Sequence, residues 1–116
     1  MSYVIKTYFR RSQTKISLPP MFQYDQGNVI QISGIPDDGG NYIIDAVLEG
    51  DKHVYSKCER VGNGLYSLKD DLFKDGRNIE LYLFADYVNW GRSLQEWVIP
   101  IIRRPKPDRS EREVET

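Results

Sequence analysis

Apolar and polar side chains alternate along most of this chain. From Tyr3 to Phe9, the set Tyr3, Ile5, Thr7 and Phe9 points away from Val4, Lys6 and Tyr8, the period of two that a half-buried strand requires. Shorter strand-like pieces run over Lys15 to Leu18, Val29 to Ser33 and Leu65 to Leu68. Asn41 to Leu48 and His53 to Val61 flank Glu49-Gly50-Asp51-Lys52, a spacing that predicts a hairpin. The two longest candidates, Asn78 to Tyr87 and Leu94 to Ile102, are joined by Val88-Asn89-Trp90-Gly91-Arg92-Ser93. Alternation assigns Ile30, Ile32, Leu81, Leu83, Trp97 and Ile99 to inward faces.

One segment breaks the period. Lys69-Asp70-Asp71-Leu72-Phe73-Lys74-Asp75-Gly76 carries acidic residues early, a lysine late and a terminal glycine, with Leu68 and Leu72 four apart. That pattern predicts a single helical turn near Asp70 to Lys74. Seven to eight short strands with turn signals between them predict an all-β fold. The expected architecture is an immunoglobulin-like antiparallel β-sandwich over residues 1–102 with this one turn. The cysteine–tryptophan–cysteine spacing of antibody domains is absent, so only the architecture is implied. A small barrel of the OB type is the second choice. Residues 103–116 form a proline-containing charged arm whose composition cannot bury a core of its own.

At 116 residues the chain is long enough for one core without metal or disulfide support. Its 16 basic and 17 acidic side chains leave a formal charge of −1, so no global field recruits nucleic acid or an anionic membrane. No apolar run approaches the roughly 20 residues of a membrane-spanning helix, and the alternating N-terminus lacks a signal-peptide core. A single cysteine, Cys58, excludes an intramolecular disulfide.

Candidate chemistry is sparse. The only histidine, His53, stands beside a predicted hairpin turn, and Cys58 has no second cysteine near it. A Cys58–His53 nucleophilic pair and a metal site both want more partners than this chain supplies. Asp37-Asp38 and Asp70-Asp71 lack calcium-loop spacing and read as solvated turns. Gly62-Asn63-Gly64 lacks the Lys-Ser/Thr of a phosphate loop. The expectation is no catalytic residues, no metal and no cofactor.

Aromatic residues say more. Tyr87 and Trp90 lie on or beside one loop, where a sandwich presents ligand-contacting side chains. Trp90 has two open placements: a cap folded over the end of the sandwich, or an exposed anchor for a sugar or a partner's pocket. Trp97, alternating with Gln95 and Ile99, belongs to the core. Arg10-Arg11 and Arg103-Arg104 are too thinly interleaved with aromatics to make a nucleic-acid groove.

The stretch SLPPMFQYDQGNVIQISGI, residues 17–35, is a splice between strands. Pro19 and Pro20 lack donors and cannot sit in a central strand. Asp25-Gln26-Gly27-Asn28 is expected to turn the chain with Gly27 at positive φ. Met21, Phe22 and Tyr24 are expected to plug the end of the sandwich.

Leu18-Pro19-Pro20-Met21 followed by Gln23-Tyr24-Asp25-Gln26-Gly27 resembles the opening of a phage and prophage domain. That family is the N-terminal immunoglobulin-like domain of baseplate upper protein and related tail-fibre proteins of phages of Gram-positive bacteria. Leu68 to Gly76 is similar to the family's short acidic turn. Val98-Ile99-Pro100-Ile101-Ile102-Arg103-Arg104-Pro105-Lys106-Pro107 is similar to its closing strand and exit. The resemblance covers about residues 5–107, with residues 41–60 departing from it. It implies a virion structural protein, made in the host cytoplasm, that docks tail or baseplate components and forms a homo-oligomer in the assembly. Relatives continue past the proline exit, whereas this sequence ends at Thr116, which favours an adaptor or decoration module. The alternative is a carbohydrate-binding module using Tyr87 and Trp90 on host-surface glycan. Partner-binding residues expected are Tyr87, Trp90, Arg103, Arg104, Pro105, Lys106 and Pro107. Pro105 and Pro107 stiffen the arm, while Arg103 and Arg104 offer bonds to carboxylates.

Overall fold

The inward-facing sets find one another across two sheets. In the computed structural model, which describes residues 3–12, 14–51, 53 and 55–108, strands β1 (Tyr3–Tyr8), β2 (Lys15–Ser17), β3 (Met21–Phe22) and β4 (Asn28–Ser33) come first. They are followed by β5 (Asn41–Leu48), β6 (Ser56–Lys57), β7 (Glu59–Gly62) and β8 (Leu65–Leu68). A 3-10 turn over Asp70–Phe73 leads to β9 (Ile79–Asp86), β10 (Gly91–Ile99) and β11 (Ile101–Ile102). One sheet has the order β1-β4-β8-β7 and the other β2-β10-β9-β5-β6, with β3 and β11 paired beside them. The two sheets pack as an all-β sandwich, with the β4-β8-β7 strands in one and the β10-β9-β5 strands in the other.

The core is the set that periodicity selected. Ile30, Leu81, Leu83, Trp97 and Ile99 have no exposed surface and Ile32 almost none. Leu68, Leu72 and Phe73 are equally buried, so the predicted helical turn is an apolar lid across one end of the sandwich. The indole of Trp97 donates to Thr7 Oγ1 at 3.2 Å, and the Tyr66 hydroxyl donates to the Tyr42 carbonyl at 2.7 Å. Each bond crosses from one sheet to the other.

The edges differ from a purely antiparallel expectation. β1 pairs with β4 in parallel, β2 with β10 in parallel, and β3 with β11 in parallel. The chain reverses after β1, so β1 fills an edge of one sheet and β2 the facing edge of the other. Eleven short strands result among the described residues, because prolines and sheet changes cut the predicted runs. Pro19 and Pro20 stand opposite Pro100, where the parallel ladder continues through Leu18 N–H to Val98 O at 2.8 Å and Met21 N–H to Pro100 O at 2.9 Å. Prolines can occupy these positions because each gives up a donor at an edge.

The predicted His53–Val61 strand is two strands on two sheets. β6 pairs with β5, β7 pairs with β8, and Cys58 N–H donates to Ile44 O at the crossing. The turn after β3 also differs. It is closed at Gln23-Tyr24, with Tyr24 itself at φ 72°, Asp25 N–H on Phe22 O and Phe22 N–H on Asp25 Oδ2. Gly27 does take positive φ, at 70°. Of the three expected plugs, Met21 is buried and Tyr24 half-buried, but Phe22 is half exposed. Adjacent residues of a strand point oppositely, so Met21 turning inward turns Phe22 outward.

Candidate functional site

β9 runs from Ile79 to Asp86, and eight residues of strand separate its ends by roughly 25 Å. That length divides the predicted partner-binding residues. Tyr87 and Trp90 follow β9 at one pole; Arg103 to Pro107 leave β11 at the other. The two groups are not brought together.

At the loop pole, Tyr87 N–H donates to Trp90 O at 2.8 Å and closes a four-residue turn between β9 and β10. The rings of Tyr87 and Trp90 stack with centroids 4.2 Å apart and planes inclined by 22°. Trp90 remains 55% exposed and Val88 is fully exposed. The capping placement for Trp90 is therefore not adopted: its ring covers Tyr87 and leaves its own surface to solvent.

Asp38, expected from its spacing to be a solvated turn residue, holds this loop in place. Its Oδ2 accepts from the Tyr87 hydroxyl at 2.6 Å, and its Oδ1 from the Tyr42 hydroxyl at 2.8 Å and Gly40 N–H at 3.1 Å. The two hydroxyls also lie 2.8 Å apart. Two phenol hydrogens cannot serve all three oxygen contacts at once, so the anionic carboxylate is what keeps both hydroxyls satisfied. The Tyr87 and Tyr42 hydroxyls hold the Asp38 carboxyl below its ordinary range. Burial, with the neighbouring Tyr87 and Asp38, pushes the Tyr42 phenol up. Gly40 lets the ring pack close: a Cβ there would lie 2.7 Å from the Tyr87 ring and would have to displace it. The carboxylate thus fixes the Asp38–Tyr42 segment to the Tyr87–Trp90 turn. Nothing in the strand period signals this contact, which joins residues 49 apart.

At the exit pole, the arm begins fastened. Gln23 N–H donates to Ile102 O, Gln23 Oε1 accepts from Arg104 N–H at 3.2 Å, and Gln23 Nε2 donates to Lys74 O at 2.8 Å. Arg103 Nε donates to Gly76 O at 3.3 Å, and Arg104 Nε to Pro105 O at 2.8 Å. These arginine contacts are with backbone carbonyls of the same chain. Pro105 and Lys106 are exposed and Pro107 half-buried. The charged end of the arm, with Glu111, Arg112, Glu113 and Glu115, lies outside the described residues.

Beside the arm is a cleft of about 400 Å³ lined by Tyr3, Pro20, Met21, Phe22, Asp25, Gln26 and Asn28. Tyr3 is 63% and Phe22 50% exposed. Phe22 is held in the wall by the pairing of β3 with β11. Asn28, at 2% exposure, has no partner for its Nδ2. Strand periodicity does not reveal this cleft, because its walls come from separate segments of the chain.

Cys58 is part of the core cluster, whereas His53 is exposed. Burial pushes the Cys58 thiol up to about 12, which suppresses the thiolate that nucleophilic chemistry needs. Comparison with protein-family models and with curated proteins gives no match for the chain.

Proposed function

We propose that this chain is a non-catalytic assembly module, an adaptor or decoration component of a phage tail or baseplate like the domains it resembles. The observation that carries this reading is polarity. A fastened, proline-stiffened arm leaves one pole, and a braced aromatic loop stands at the other, roughly 25 Å away across the strand length. A body with distinct contact elements at its two ends suits a part that links neighbours. Preorganised aromatic anchors also lose little conformational freedom on docking.

Mass spectrometry of purified virions from the source phage should find the chain at fixed stoichiometry in tails. Deleting residues 103–116 should leave a folded sandwich and abolish incorporation. Normal incorporation of the truncated chain removes the arm from the proposal, and absence of the full chain from particles overturns the proposal as a whole.

The exposed, stacked face of Trp90 favours a second reading, a platform for the apolar face of a pyranose. Glycan-array binding that disappears in Trp90→Ala would support it.

A further inference from the structure

We propose that a second cavity, at the loop pole, is a sugar pocket that takes one uncharged pyranose unit between Asp37 and Arg60. The proposal rests on the glycan reading of Trp90 above and gives it a hydroxyl-recognising site of its own.

The cavity measures about 280 Å³ and opens between the loop 35–40 and the turn 62–64 that joins β7 to β8. Drug-sized ligands occupy roughly 300–1,000 Å³, so this volume suits a single ring. Its lining is held in place. Tyr42 and Tyr66 are buried, with the Tyr66 hydroxyl on Tyr42 O and the Tyr42 hydroxyl on Asp38 Oδ1. The turn is pressed against β4: Ile32 N–H donates to Gly64 O at 2.8 Å, and a Cβ on Gly64 would lie 2.6 Å from Ile32 O. A preformed site of this kind loses little freedom on binding.

Two opposite charges line the cavity without pairing. Asp37 and Arg60 have no ion-pair partner among the described residues, and they do not pair with each other. Arg60 Nε donates to Gly62 O at 3.2 Å and Nη2 to Asn63 Oδ1 at 3.3 Å. These neutral acceptors orient the guanidinium and leave Nη1 to a ligand.

An acceptor-only carboxylate and a donor-only guanidinium therefore border one small space. A hydroxyl both donates and accepts, so neighbouring hydroxyls of a pyranose satisfy the two groups together. An anion drawn by Arg60 would meet the carboxylates of Asp37 and Asp38, and a cation drawn by Asp37 would meet Arg60. A metal ion would find no cluster of three acidic, histidine or cysteine ligands among the described residues. The aromatic stack favours a polyol over a zwitterion. Gly40 lines the cavity and the Tyr87 ring packs against it, with Trp90 stacked on that ring and 55% exposed. A glycan leaving the cavity thus has an aromatic face one ring beyond the wall, on which the C–H face of a further unit can stack.

Saturation-transfer NMR of the full chain tests this with glucose, galactose, mannose, N-acetylglucosamine and their neutral oligosaccharides. Glucuronic acid, glucosamine and glycine serve as charged and zwitterionic controls. At least one neutral probe should bind more tightly than every control, and it should move the amide signals of Gly39, Gly40, Asn63 and Gly64. Asp37→Ala and Arg60→Ala change exposed positions, and circular dichroism checks that each is folded. Each should weaken binding by about tenfold or more, the loss expected for a hydrogen bond to a charged group. Sugar binding that is lost in Trp90→Ala but unchanged in both pocket variants overturns the pocket and leaves the glycan reading standing. Binding that is lost in the pocket variants and unchanged in Trp90→Ala upholds the pocket and removes the platform. Tighter binding of a control than of any neutral probe overturns the assignment to an uncharged sugar. No binding by any neutral probe overturns both.

Discussion

Replacing Thr7 with valine would test how β1 is bound to the opposite sheet. Thr7 is 8% exposed and Trp97 is fully buried, and the indole N–H reaches Thr7 Oγ1 at 3.2 Å. Valine keeps the branched shape and removes only the acceptor, so the indole donor is left buried without a partner. Such an orphan costs about 1–3 kcal/mol. The bond is at the long end of the N–H···O range, which places the expected loss at about 1–2 kcal/mol. For a domain of this size the melting temperature should fall by roughly 4–8 °C. Urea titration followed by tryptophan fluorescence, with thermal circular dichroism alongside, measures both quantities. A double-mutant cycle with Trp97→Phe separates the bond from the packing lost with the indole, and the coupling should be about 1 kcal/mol. A Thr7→Val protein within about 0.5 kcal/mol of wild type, or a coupling of zero, would refute the claim that this bond ties β1 across the sandwich.

Other perturbations probe the core and the loop pole. Leu81, fully buried on β9, should cost about 2–5 kcal/mol as Leu81→Ala, read from the urea midpoint; a loss below about 1 kcal/mol contradicts its place in the core. The Cys58 thiol, pushed up to about 12 by burial, should resist Ellman's reagent at pH 8 in the native protein and react once urea unfolds the chain. Asp38 has its folded pKa depressed, first by the Tyr87 hydroxyl. Its contribution is therefore present above the ordinary carboxylate value of 3.8 and lost as pH falls through the lower folded value. Trp90 fluorescence, recorded in a Trp97→Phe background, should stay constant from neutral pH down past that value and change below it. In Asp38→Asn the neutral-pH signal should already resemble the acid form.

The period of two determined which faces of the strands are apolar, and the Gly and Pro punctuation determined where they stop. Ile30, Leu81, Trp97 and Ile99 were legible as core on that basis alone, as was the short turn between Leu68 and Gly76. These are local properties: a strand's alternation and a turn's backbone demand are written in consecutive residues. Strand partners are not. The parallel pairing of β1 with β4 and of β2 with β10, and the sheet change at Cys58, depend on groups that meet only after the chain has folded back. The loop pair and the cleft share that origin. Tyr87 and Trp90 were visible as a loop pair, but Asp38 acquires its role only when the segment before β5 is laid beside the end of β9. The cleft takes Tyr3, Phe22 and Asn28 from separate strands. Alternation can turn Phe22 outward once Met21 is known to point in, but only tertiary contacts decide which of the two that is.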